Sequence, residues 1–152
     1  MSNLKEFTQA YLTAMDFTEL GETSQGQPPS TAQLTKLSKA QAWSACRNFY
    51  EACRGDIGDH VEQAGHDFWF TRQGHGVGFW DRPEIYGKEV ADLLTKVCKA
   101  VGEVHDVDYG DRSFGGLRKG TRFLDIEGEE YVKGETPRGK FKVNTTVWIL
   151  ED

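Results

Sequence analysis

The chain has little that would mark a membrane protein, a disulfide scaffold or a metal centre. Its 152 residues include only three cysteines, Cys46, Cys53 and Cys98, with no CxxC pair among them. Cys46 and Cys53 fall on one helical pattern, about 10.5 Å apart along the axis, too far to bridge each other. Unpaired thiols of this kind suit a reducing compartment. No stretch approaches the roughly 20 consecutive apolar residues of a membrane-spanning helix. The opening MSNLKEFTQA lacks the basic start and apolar run of a secretory leader, so a cytoplasmic location is expected.

A basic excess is missing as well. Eighteen Lys and Arg stand against 24 Asp and Glu, a net charge of −6, and residues 1–110 carry all of the excess, with sixteen acids and ten bases. Such a field repels phosphate backbones, which makes nucleic acid a second-choice partner. No GxSxG, P-loop or dinucleotide fingerprint is present, and GHGVG shares only glycine content with a phosphate loop. The four histidines, His60, His66, His75 and His105, match no zinc-ligand spacing, so neither a metal nor a cofactor is expected.

What the chain does have is helical periodicity first and alternation later. Asn3 and Glu6 make a capping box for a first helix, with Leu4, Phe7, Tyr11 and Ala14 on one face. ETSQGQPPS, Glu22 to Ser30, reads as a loop. Ser30 and Gln33 offer a second cap, for a helix carrying Ala42, Ala45, Cys46, Phe49, Tyr50 and Cys53 up to Gly55. From His66 the period drops to two: His66, Phe68, Phe70 and Arg72 on one side, Asp67, Trp69 and Thr71 on the other. This predicts a strand, reversing at Gln73–Gly76 into a hairpin with Val77–Trp80. Val90, Leu93, Leu94, Val97 and Val101 predict a further helix ended by Gly102, and Glu103–Asp108 a further strand.

The last forty residues predict a β-meander of strands at Phe123–Ile126, Glu129–Lys133 and Phe141–Leu150. In the last strand Phe141, Val143, Thr145, Val147 and Ile149 are buried, and Trp148 lies on the mostly wet side. The fold class is therefore α+β: N-terminal helices on a small antiparallel sheet with a central β-hairpin, then the meander. Residues 1–110 form the core domain, and 111–152 form an extension of it or a module of their own.

The densest stretch is Ala64–Arg82, AGHDFWFTRQGHGVGFWDR. It resembles the H-D-F-W-x-T-R-x-x-H-G-x-G-F-W-D motif of a family of small bacteriophage and prophage proteins. The resemblance runs from FTQAYLTAM to about Asp108, with Phe70 where leucine is usual, Val77 where alanine is usual, and an added block from Arg112 to Asp152. It implies a phage accessory protein in the host cytoplasm, and brings no reaction, cofactor or catalytic residue with it.

Within the motif the structural role comes first: Phe68, Phe70 and Phe79 cover the helices, and Arg72 and Asp81 pair or cap turns. The binding surface expected there is a patch of Trp69, Trp80 and Arg82, with Arg72 and His75 beside it, because Trp and Arg are the residues of interaction hot spots. In the added block, Arg112, Arg118, Lys119 and Arg122 form a basic cluster near four acids, Asp125, Glu127, Glu129 and Glu130. An acidic run, Glu103, Asp106, Asp108 and Asp111, has the character of a phosphate mimic.

The expected function is binding of a host or defence-system protein, as an inhibitor of anti-CRISPR or anti-restriction type, and not catalysis. The alternative is binding of a nucleic acid or nucleotide through the basic block, Arg112, Arg118, Lys119 and Arg122, and the aromatic hairpin. A third is a small enzyme using His66 with Asp67, or His75. Neither Thr71 nor Ser113 stands in a nucleophile motif.

Overall fold

A computed structural model describes residues 2–20, 28–74, 76–104 and 107–151. It divides into a helical unit, residues 1–18 and 40–105, and a sheet unit, residues 19–39 and 106–152. The chain has the α+β character that its periodicities predict, with the helices leading and the sheet following.

The helices are α1 (Ser2–Leu20), α2 (Lys36–Ile57), α3 (Val61–Gln73), the one-turn α4 (Pro83–Tyr86) and α5 (Lys88–Val101). Phe7, Ala10, Tyr11 and Ala14 on α1 are buried at helical intervals, as are Ala42, Cys46, Phe49, Tyr50 and Cys53 on α2. α2 starts later than Ser30 suggests: the Thr35 hydroxyl accepts the Ser38 N–H at 3.3 Å and caps it. Phe49 and Phe68 stack with centroids 4.2 Å apart, and Phe7 and Phe79 pack on Phe49. On α5 the buried line is Ala91, Leu94 and Cys98, whereas Leu93 is exposed.

The predicted central β-hairpin is absent. His66–Arg72 belongs to α3, and Val77–Trp80 leads into a 3-10 turn, Phe79–Asp81. The reason is burial. α3 hides Val61, Ala64, Gly65, Asp67, Phe68, Trp69 and Thr71, a set that no single strand face could cover and that a helix packed on two sides can. Tertiary packing overrides the β-preference of the aromatic run. Gly74, placed in the hairpin turn by the sequence, is instead the helix cap: at φ 74° its N–H reaches the carbonyls of Phe70 and Thr71. The strand expected at Glu103–Asp108 also fails: Glu103, Val104, Val107 and Asp108 are irregular, and His105 and Asp106 lie outside the described residues.

Four short antiparallel strands, β1 (Asp111–Ser113), β2 (Arg122–Leu124), β3 (Glu130–Val132) and β4 (Thr146–Ile149), make the sheet in the order β1-β4-β2-β3. This is not a meander, because β4 pairs between β1 and β2 and not beside β3. Leu124 and Trp148 are directly opposite and build a core with Tyr109, packed by Ala32, Leu34, Val107 and Leu150. Trp148, expected on the wet face, is therefore 1% exposed, and Val143, expected inside, is 74% exposed in a loop. The other face carries buried Phe123 and Val147. Both faces of this sheet are covered, so strict alternation does not hold.

Candidate functional site

The motif's polar residues are spent on one another inside the helical unit. Asp67 has no exposed surface, and its carboxylate accepts three hydrogen bonds: Tyr86 Oη at 2.8 Å, Gln63 Nε2 at 3.1 Å and Arg82 Nε at 3.3 Å. A buried carboxylate is tolerated only when paired and hydrogen-bonded in this way. Burial, together with the adjacent Asp67 carboxylate, pushes the Tyr86 hydroxyl well above its ordinary range, so it remains a donor. Gln63 and Asp67 meet because they are one turn apart on α3, and α4 delivers Tyr86.

Arg72 makes a second lattice. Its Nε and one terminal nitrogen donate to the carbonyls of Gly102 and Glu103 at 3.0 and 3.1 Å. The other donates to Tyr11 Oη at 2.9 Å, and the guanidinium lies 5.4 Å from the Phe68 ring centroid. Burial raises the Tyr11 hydroxyl to about 12, although Arg72 opposes the shift. The Trp69 indole N–H donates to Thr18 Oγ1 at 3.2 Å, and the Thr71 hydroxyl accepts the Phe79 N–H at 3.0 Å. Among the described residues no buried side-chain nitrogen or oxygen lacks a partner.

This lattice sorts the residues that the sequence singled out. Trp69 is fully buried and contributes nothing to a surface patch, so the expected Trp69/Trp80/Arg82 patch is reduced to Trp80 and the outer part of Arg82. Arg72, expected to pair with Asp81 or cap a turn, is engaged with the backbone carbonyls after α5 and with Tyr11, and Arg82 pairs with Asp67. Trp80 is 41% exposed. A Cβ on Gly78 would overlap the Trp80 ring and the Thr71 hydroxyl, so the missing side chain lets the indole fold back over the turn. His75 lies outside the described residues. Arg118 and Lys119 are exposed in the sheet unit, and Arg122 pairs with Glu130 at 2.8 Å.

The remaining chemistry is sparse. Burial raises the thiols of Cys46 and Cys98 to about 12 and that of Cys53 to about 11, which keeps them as poor nucleophiles at neutral pH. Among the described residues no three His, Cys, Asp or Glu side chains are disposed to hold a metal ion. His66 lines an open groove of about 460 Å³ with Lys5, Glu6, Gln9, Thr13 and Glu62. His60 stands edge-on to Tyr86 at 5.9 Å. Of the acidic run, Asp108 is consumed: burial acts to raise its carboxyl, but hydrogen bonds from Arg112 and the Gly110 N–H outweigh that and hold it below the usual range.

Tyr86 and Gln63 are the site residues that sequence reasoning missed. The Gln63–Asp67 spacing is a helical signal, visible only once Val61–Gln73 is read as a helix. Comparison with known proteins found no matching family model, no similar curated protein and no similar solved structure.

Proposed function

We propose that the chain is a phage-encoded accessory protein that binds a host macromolecule, a component of a bacterial defence system being the partner class that fits. The observation that carries this reading is the isolation of Trp80. Asp67, Phe68, Trp69, Thr71 and Phe79 are buried and Arg72 and Arg82 are bonded internally, while this indole is left 41% exposed on a turn fixed from three sides. A large aromatic held rigidly at a surface loses little entropy on binding, which is the character of an interface anchor. The turn packs on α5, where Leu93 is also exposed.

The phage origin rests on the motif resemblance. The test is capture of the tagged chain's partners from bacterial lysate under nuclease treatment, with the wild type beside Trp80→Ala. A stoichiometric protein retained by the first and lost by the second supports the reading. Equal retention by both removes Trp80 from it.

A further inference from the structure

Arg112 and Arg122 of the basic cluster are paired with Asp108 and Glu130, but Arg118 and Lys119 stand apart from the hairpin-turn acids, because the length of the β2–β3 hairpin separates them. Leu124 pairs with Glu130 at the turn end and Arg122 with Val132 at the open end. Asp125, Glu127 and Glu129 gather at the turn, where the Asp125 carboxylate accepts the N–H groups of Glu127 and Glu129 at 3.0 and 2.9 Å. Arg118, Lys119 and Lys133 gather at the open end, where Gly120 donates to the Lys133 carbonyl and Thr121 to that of Arg118. Strands rise about 3.3 Å per residue, so Asp125 and Thr121 are about 13 Å apart along β2 and its continuation. That exceeds the Debye length of about 8 Å at physiological ionic strength.

At this basic end stands a row of aromatic rings on the Phe123 face of the sheet. Phe114, Phe141 and Tyr131 follow one another at centroid spacings of 5.1 Å, each only half-buried. Lys133 Nζ lies 3.8 Å from the Phe114 centroid and Lys140 Nζ 5.9 Å from that of Tyr131. Arg118, Lys119, Arg138 and Lys142 are exposed and make no ion pair among the described residues.

We propose that this face of the sheet unit binds single-stranded nucleic acid, with bases against the Tyr131 and Phe141 rings and phosphates on Arg118, Lys119 and Lys140. Partly accessible aromatics interleaved with cations outside ion pairs on a small sheet are the combination that grips a single strand without reading its sequence. The surface lies wholly within the sheet unit and does not use Trp80, so it stands or falls apart from the reading above.

The test is fluorescence anisotropy of a labelled oligothymidine, about 12 nucleotides long, titrated with the full chain at several salt concentrations. Two or three phosphate contacts predict that log affinity falls against log salt with a slope of about −1.4 to −2.1. Arg118→Glu with Lys119→Glu, both at exposed positions, is expected to weaken binding more than tenfold, and Trp80→Ala to leave it unchanged. Tyr131→Leu, which retains apolar bulk, is expected to weaken it severalfold through lost stacking. No binding at 50 mM salt, affinity unmoved by the charge reversals, or equal competition by polyglutamate would each overturn the proposal.

Discussion

Tyr86 donates its phenolic hydrogen to the buried carboxylate of Asp67 at 2.8 Å, tying the one-turn helix α4 to the middle of α3. With Arg82 on the same carboxylate, this bond fixes both ends of the segment that runs from the 3-10 turn to α4. Tyr86→Phe removes one hydrogen bond to a charged acceptor and should cost about 1.5–3 kcal/mol in urea unfolding. Asp67→Ala strands Arg82 and Tyr86 and should cost about 3 kcal/mol or slightly more, near the low end for breaking a buried pair, because Arg82 is 31% exposed. Equal stability of both variants with the wild type would contradict the lattice.

Two glycines make opposite predictions. A Cβ on Gly65 would overlap the Phe7 carbonyl and lie 2.7 Å from the Ala10 Cβ, where α1 and α3 cross. Gly65→Ala should therefore destabilise by about 1–3 kcal/mol as the helices are forced apart. Gly55, inside α2, has nothing within 4 Å of its Cβ position and no positive φ. Gly55→Ala should stabilise by about 0.4–1 kcal/mol through the entropy of the unfolded chain. Melting temperatures of the two variants check both signs at once.

The buried thiols and Tyr11 set an alkaline limit. Their folded values are raised, from 9.0 to about 11–12 for the cysteines and from 10.0 to about 12 for Tyr11. Between those limits the unfolded chain holds fewer protons than the folded one, so stability is intact below about pH 9 and falls as pH rises toward 12. Urea midpoints measured at pH 8 and pH 10.5 should show the drop. A thiol reagent at pH 8 should label the three cysteines only after denaturation.

The division of legible from illegible is physical. Phe7, Tyr11 and Ala14, and Cys46, Phe49 and Cys53, repeat at a helical period with one face buried, so α1 and α2 are readable. Ala64–Thr71 is buried on more than one side, and its run of Phe68, Trp69 and Phe70 fits a period of two as well as one of 3.6. Only contacts such as Gly65 with α1 decide between them. Trp148 failed for the same reason, since segment Ala32–Leu34 covers the face that alternation assigns to water. The internal network was half visible: Asp67, Arg72 and Arg82 stand in the motif, but Trp69 and Arg72 are internal, and Tyr86, outside the motif, completes the bonding of Asp67.

Tryptophan emission separates the buried from the exposed indoles. Trp69 and Trp148 are at most 1% exposed, Trp43 on α2 is half-buried, and Trp80 is 41% exposed. Iodide should quench a fraction of the wild-type emission that Trp80→Phe sharply reduces, while the helical circular dichroism is unchanged. A Trp80→Phe protein quenched as strongly as the wild type would assign the accessible emission to Trp43 and contradict the exposure of Trp80.

The role of Trp80 is decided by the amount of protein partner that the tagged chain retains from lysate when Trp80 alone is truncated. Trp80→Ala is expected to keep its fold and to retain at least tenfold less of that partner, while Arg118→Glu with Lys119→Glu retains it. Undiminished capture by folded Trp80→Ala would contradict the assignment of this indole as the anchor.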